Sequence, residues 1–296
     1  MSYFHLNLIL KGKLTVCCLL MLSVIPLNAQ REAKQIGDFK ESISLNEHLR
    51  GTKRTLQYRP DGDEFVCVNG KNRYTRALYG SHSPFRVETS DRPVFAFYNN
   101  GRGGNISFKV ILRDGTELAL DRTGYCESRY SAGKRTYYLT DPSWGKGELR
   151  ISVLALADMD GAIWRFSPSN MPKGAILRWQ HGGATGKRLS RNGDMGVDPV
   201  DCFELPAEAT DLVTGELALQ KEVYLVRGEV PEGYNVRKLY QQAEAASLAL
   251  ASHLKIETPD PYLNTLGGAL VAAADGIWDG QVWLHGAIGW RMPLSG

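Results

Sequence analysis

Three of the six tryptophans, with an imidazole, a carboxylate and a guanidinium, fall within residues 278–291, as Trp278-Asp279, Trp283-Leu284-His285 and Trp290-Arg291. This mixture suits a sugar: indole faces stack on the C–H faces of sugar rings, while Asp, His and Arg exchange hydrogen bonds with hydroxyl groups. Asp279, Trp283, His285, Trp290 and Arg291 are therefore the candidate substrate-binding residues. For Trp283 and Trp290 the alternative is packing against further structural elements, and Trp278 is assigned to the core on its helix. No catalytic residue is assigned.

Other chemistry-bearing patterns are weaker. The stretch His181-Gly182-Gly183-Ala184-Thr185-Gly186-Lys187-Arg188 resembles a phosphate loop, but His181 stands where a glycine is needed and Arg188 replaces the hydroxyl residue that would hold magnesium. Gly101-Arg102-Gly103-Gly104 precedes a strand rather than a helix, so it is no dinucleotide fingerprint. Gly193-Asp194 with Asp198, Asp201 and Glu204 offers oxygen ligands without EF-hand spacing and is expected to be a solvated acidic loop. Asn105-Ile106-Ser107 is a glycosylation triplet by pattern alone. Neither a Gly-x-Ser-x-Gly elbow nor a His-Glu-x-x-His pair occurs, which lowers esterase and metalloprotease readings. No metal and no cofactor is expected.

Residues 1–29 have the form of a secretory leader: Lys11 and Lys13, an apolar run from Leu14 to Leu27, then Asn28-Ala29 before Gln30. The run is short of the roughly 20 apolar residues of a spanning helix, and Pro26 further disfavours a membrane anchor. Export to the periplasm or cell surface is expected, with no membrane span after cleavage. Cys67, Cys126 and Cys202 then remain, an odd number without paired spacing, and they are expected to be small buried hydrophobes. The whole chain carries 35 Lys plus Arg against 32 Asp plus Glu, a net charge of +3. Losing the two leader lysines leaves +1, which excludes a charge-driven binder of nucleic acid and leaves neutral glycans as natural partners.

The elements that must position the aromatic segment come in two kinds. From about Arg54 to Arg227, short runs rich in Val, Ile, Phe, Tyr and Thr are broken by Asn69-Gly70, Asp114-Gly115 and Asp160-Gly161, the signature of hairpins. Phe95 and Phe97 on one parity, with Ala96 and Tyr98 on the other, predict half-buried strands, so a large antiparallel β-sandwich is expected over residues 30–230. Beyond Pro231 the period changes. Val236, Leu239, Tyr240, Ala243, Ala246, Leu250 and Leu254 predict an amphipathic helix of about 19 residues within a linker at 231–257. A second helix opens with Asp260 as cap and Pro261 first, and Leu263, Leu266, Leu270, Ala274 and Ile277 mark one face of it. Two such helices cannot bury all their apolar surface on each other, so residues 258–296 look like the opening of a larger helical domain.

The run Thr258-Pro259-Asp260-Pro261-Tyr262-Leu263-Asn264 leading into Ala272-Ala273-Ala274-Asp275-Gly276-Ile277-Trp278-Asp279 resembles the start of an (α/α)6 six-hairpin glycosidase barrel. Asn72-Arg73-Tyr74-Thr75-Arg76-Ala77-Leu78-Tyr79-Gly80, Phe85-Arg86-Val87-Glu88-Thr89-Ser90-Asp91-Arg92-Pro93 and His285-Gly286-Ala287-Ile288-Gly289-Trp290-Arg291 resemble secreted proteins of saccharolytic gut Gram-negatives, the family called domain of unknown function 4450. The resemblance implies a mainly β protein: a sandwich, a linker helix and the first helix of an incomplete (α/α)6 barrel. It implies a glycoside hydrolase-like role in polysaccharide breakdown, with carbohydrate as partner and with catalytic carboxylates on later helices. The alternative is a non-catalytic carbohydrate-binding or structural β-sandwich.

Overall fold

The computed structural model describes residues 57–99, 102–182, 203 and 212–284. Among them, two seven-stranded antiparallel sheets form a sandwich. The first sheet runs β1 (Arg59–Asp61), β2 (Glu64–Val68), β8 (Tyr125–Ser131), β9 (Lys134–Thr140), β10 (Glu148–Ala155), β11 (Gly161–Ser169), β14 (Val223–Gly228). The second runs β13 (Val213–Ala218), β12 (Ile176–Gly182), β6 (Arg102–Ile111), β5 (Phe95–Asn99), β4 (Arg86–Thr89), β3 (Arg76–Leu78), with β7 (Glu117–Ala119) also paired to β6.

Period-two patterning sets which faces meet. On β6, Ile106, Phe108 and Val110 are buried while Ser107 and Lys109 are not; on β12, Leu177 and Trp179 alternate with Arg178 and Gln180. Trp164 of β11, fully buried, packs on Phe95, Phe97 and Phe108 of the opposite sheet at ring-centroid distances of 5.7, 5.6 and 6.0 Å. Each such aromatic pair contributes about 0.5–1.5 kcal/mol beyond its buried area. The hairpins at Asp114-Gly115 and Asp160-Gly161 form as expected, joining β6 to β7 and β10 to β11.

Two expectations are corrected. Asn69-Gly70 closes no hairpin: β2 pairs with β1 and β8, while β3 belongs to the second sheet. Gly70 instead lies so close to Cys67 and Asp91 that a Cβ would overlap both side chains. Strand β5 is not half-buried, because Ala96 and Tyr98 on its outer face are covered by Phe203 and Tyr74. The same cover occupies the Asn105 amide, which is buried and donates to the Phe203 carbonyl at 2.8 Å.

A buried polar cluster joins the sheets at one end. Asp91, just past β4, is fully buried; its Oδ1 accepts from the Tyr58 hydroxyl at 2.5 Å and lies 3.4 Å from Arg135 Nη2, and its Oδ2 accepts from the Asn72 amide at 2.9 Å. Arg135 Nη2 also donates to Ser128 Oγ at 3.0 Å, and the Tyr137 hydroxyl donates to the Ser90 carbonyl at 2.8 Å. Cys67 and Cys126 sit in this cluster as buried free thiols. Burial pushes both upward, Cys126 to about 12, so they are neutral fillers at neutral pH. Cys202, Gly193, Asp194, Asp198, Asp201, Glu204 and the leader lie outside the described residues.

Two helices follow β14. Helix α1 (Val236–Ala251) is capped by Asn235, whose Oδ1 accepts from the Lys238 amide at 3.1 Å, and is 16 residues long rather than about 19. Its first half buries Leu239, Tyr240 and Ala243 against Leu154 and Ile163 on the outer face of the first sheet, with the Arg165 guanidinium 4.3 Å from the Tyr240 ring centroid. Helix α2 (Pro261–Gly276) begins as expected, with Asp260 Oδ1 accepting from the Tyr262 amide at 2.8 Å. Its buried face is not the leucine stripe: Thr265, Gly267, Ala272 and Gly276 are buried, while Leu263 and Leu270 are 46% and 50% exposed. Small residues face inward because the backbones approach closely; a Cβ on Gly267 would come within 2.7 Å of the Leu254 carbonyl oxygen.

Replacing one partner of a buried ion pair leaves the other charge unsatisfied. Asp91→Ala is expected to cost about 3–5 kcal/mol of unfolding free energy, read by urea denaturation; a cost under about 1 kcal/mol would contradict the bridging role.

Candidate functional site

Where the second half of α1 and residues 266–275 of α2 pass the sandwich edge at β3, they enclose a cleft of about 570 Å³, within the usual size of small-molecule sites. Its wall is largely alanine and leucine, and its polar groups come from Arg76, Tyr79, His82, Tyr130, Ser247 and Asp275.

The loop after β3 is held by close approach and hydroxyl bonds. Gly80 packs onto the Leu156 carbonyl so tightly that a Cβ would overlap it. Asp160, in the β10–β11 turn, accepts hydrogen bonds from Ser81 Oγ at 2.7 Å and from Ser83 Oγ. This presents His82, whose Nε2 lies 3.2 Å from Asp275 Oδ1 on the last turn of α2. One residue on, Gly276 lies flat against the Tyr79 ring, where a Cβ would overlap the ring carbons.

Burial, followed by the Glu88 charge, pushes the Tyr79 phenol up to about 12, and burial likewise raises Tyr130. Both phenols are neutral at neutral pH. The Arg76 guanidinium stands 5.5 Å from the Tyr130 ring centroid and donates from Nη1 to the Thr75 carbonyl at 3.0 Å. The cleft thus combines a cation over an aromatic ring, an imidazole–carboxylate pair and an aliphatic wall, a lining suited to a hydroxylated ring compound.

Just past α2 the chain makes a narrow turn. The Trp278 amide donates to the Asp275 carbonyl at 3.0 Å, Trp278 and Trp283 form an antiparallel bridge, and the Leu284 amide donates to the Ile277 carbonyl at 2.9 Å. Asp279 Oδ1 accepts from the Gln281 and Val282 amides, each at 2.9 Å, and Gly280 takes φ +97° at the tip. The two indoles pack at a tilt of 50° with centroids 4.6 Å apart, and Trp283 remains 54% exposed.

Of the five candidates from sequence, Asp279 and Trp283 are therefore brought together, Asp279 as the residue that closes the turn and Trp283 as its exposed ring. His285, Trp290 and Arg291 lie outside the described residues. Trp278, assigned to the core on its helix, is half-buried just past the end of α2 and backs Trp283. His181 is a packed residue, its ring 5.1 Å from that of Phe97 and its Nδ1 accepting from Arg227 Nε at 3.0 Å. The sequence offers no reason to single out Arg76, Tyr79, His82 or Asp160 as site residues; the Gly80-Ser81-His82-Ser83 loop is the available signal, but its partner Asp275 is 193 residues away from His82.

A second groove, about 670 Å³, lies on the outer face of the second sheet beside Arg92, Asn105, Lys109 and Gln180. Its charges are largely engaged: Arg92 Nη1 donates to the Asp121 and Thr123 carbonyls, and Lys109 pairs with Glu117 at 3.3 Å. Among the described residues no three His, Cys, Asp or Glu side chains converge as metal ligands, and no helix is long and apolar enough to cross a membrane.

Comparison with known families finds one match. Residues 100–231 match the family model of a domain of unknown function, DUF4450. The DUF4450 match supports the family resemblance seen in the sequence and lies within the sandwich, from the start of β6 to just before α1. Strand β3, the Tyr79–Ser83 loop, both helices and the tryptophan turn lie outside it. No curated protein matches the chain.

The Gly276–Tyr79 contact makes a local prediction. Gly276→Ala is expected to lower stability by about 1–3 kcal/mol through overpacking, measured by thermal or urea unfolding, and Tyr79→Ala in the same chain is expected to recover part of that loss.

Proposed function

We propose that this is an exported, glycoside hydrolase-like protein of polysaccharide breakdown, and that the cleft with its adjoining tryptophan turn receives a saccharide. One observation carries the reading. A half-exposed indole, Trp283, is fixed by Trp278 and by the turn at Asp279, four residues beyond Asp275, which itself lines the cleft. An aromatic ring kept rigid and left open to solvent is preorganised for stacking on a sugar face, since little conformational freedom is lost on binding.

The helices support the wider reading of a helical domain continuing from α2. Leu248, Leu263 and Leu270 are 61%, 46% and 50% exposed, apolar surface of a kind that further helices would cover in a six-hairpin arrangement. Under this reading the catalytic carboxylates stand on those helices.

One observation favours the alternative, a non-catalytic carbohydrate-binding protein. Asp275 is the sole carboxylate lining the cleft among the described residues, and glycoside hydrolysis ordinarily needs two. The two readings part on product: release of reducing ends from polysaccharide marks the hydrolase, and binding without release marks the binder.

Calorimetric titration of the purified protein against a panel of neutral and acidic oligosaccharides is expected to find a ligand, and Trp283→Ala is expected to weaken it about tenfold or more. Affinity untouched by Trp283→Ala would sink the stacking role.

A further inference from the structure

Arg76 stands out among the cleft residues. It is solvent-exposed on β3, at the edge of the second sheet, and lines the cavity. Its guanidinium is oriented by the face of Tyr130 at 5.5 Å and by a single hydrogen bond to the Thr75 carbonyl. No carboxylate among the described residues lies within ion-pair distance of it. Asp275, the cleft's carboxylate, is engaged instead by His82 at 3.2 Å.

The cavity therefore holds a guanidinium with donors to spare and a carboxylate that already has an imidazole beside it. A guanidinium forks two parallel N–H donors that fit a carboxylate bidentately, and here it is placed by the Nη1 bond to the Thr75 carbonyl and by the Tyr130 ring 5.5 Å away. A neutral sugar would leave this fork facing hydroxyls only. A carboxylate-bearing sugar would satisfy it, and the like charge of Asp275 would disfavour placing that carboxylate beside the helix instead.

We propose that the ligand of this cleft is a uronic acid-containing saccharide whose carboxylate is read by Arg76. This rests on the saccharide reading above and names the sugar class. In the outer groove Arg92 is already engaged, Nη1 by the Asp121 and Thr123 carbonyls and Nη2 by Asn69 Oδ1.

The test compares a galacturonic acid trisaccharide with a galactose trisaccharide by calorimetry on the wild-type protein, Arg76→Gln and Arg76→Lys, with circular dichroism melts confirming that each is folded. The wild type is expected to prefer the acidic ligand about tenfold at low salt, with the preference shrinking as ionic strength rises. Arg76→Gln is expected to abolish the preference, and Arg76→Lys, which keeps charge but not the fork, to keep part of it. Equal or better binding of the neutral ligand by the wild type overturns the inference while leaving the saccharide reading intact. An acidic preference that survives in Arg76→Gln, or in Arg76→Lys at full strength should the glutamine variant not fold, also overturns it. Binding of neither ligand, nor of any member of the wider oligosaccharide panel, overturns both.

Discussion

The buried pairing of Asp91 with Arg135 is the constraint on which the cleft depends. A carboxylate and a guanidinium taken out of water at one end of a sandwich repay their desolvation only if their remaining valences are met. Here Tyr58 and Asn72 meet those of Asp91 and Ser128 accepts from Arg135 Nη2, while Arg135 Nε is buried without a partner among the described residues. Because Asn72 and Asp91 also bond through their backbones at 2.9 Å, the segment between β2 and β3 is drawn across from the first sheet to the second. Tyr74 and Thr75 then dock on Ser90 and Thr89, at 2.8 and 2.7 Å. Arg76 follows directly, so the position of the cleft's cation is inherited from a charge pair inside the protein.

The other wall of the cleft is set by backbone proximity. Gly80 on Leu156, Gly276 on Tyr79 and Gly267 on the Leu254 carbonyl each need a missing side chain. These contacts press the loop after β3, the β10–β11 hairpin and α2 together, and they turn the leucines of α2 toward the cavity and solvent. A helix that buries its small residues obtains close helix–sheet packing at the expense of apolar burial, which leaves a lined cleft where a leucine face would have filled it.

The sequence made the strands and helices legible where patterning and punctuation agree. Asp114-Gly115, Asp160-Gly161, the Asp260-Pro261 start of α2 and the alternation along β6 all carry local signals, and all formed. Asn69-Gly70 carried the same signal and misled, because the glycine was required by Asp91 and Cys67 rather than by a hairpin. The inward face of α2 was not legible for a related reason: hydrophobicity favours leucine, whereas a close backbone approach selects Gly, Ala and Thr, and that approach depends on a partner element. At the candidate site, the tryptophan cluster was visible as composition. The His82–Asp275 pair was not, since only the packing of α2 against the sandwich edge brings residues so distant in the chain together.

The central claim is that a saccharide is recognised where the helices meet the sandwich edge. Amide hydrogen exchange, followed by mass spectrometry with and without a bound oligosaccharide, tests it most directly because it locates the ligand without altering any residue. The account predicts new protection in the segments that line the cleft, residues 75–82, 130–133, 243–250 and 266–284. Protection on the outer face of the second sheet, in β6 and β12, with none at the cleft, would contradict it.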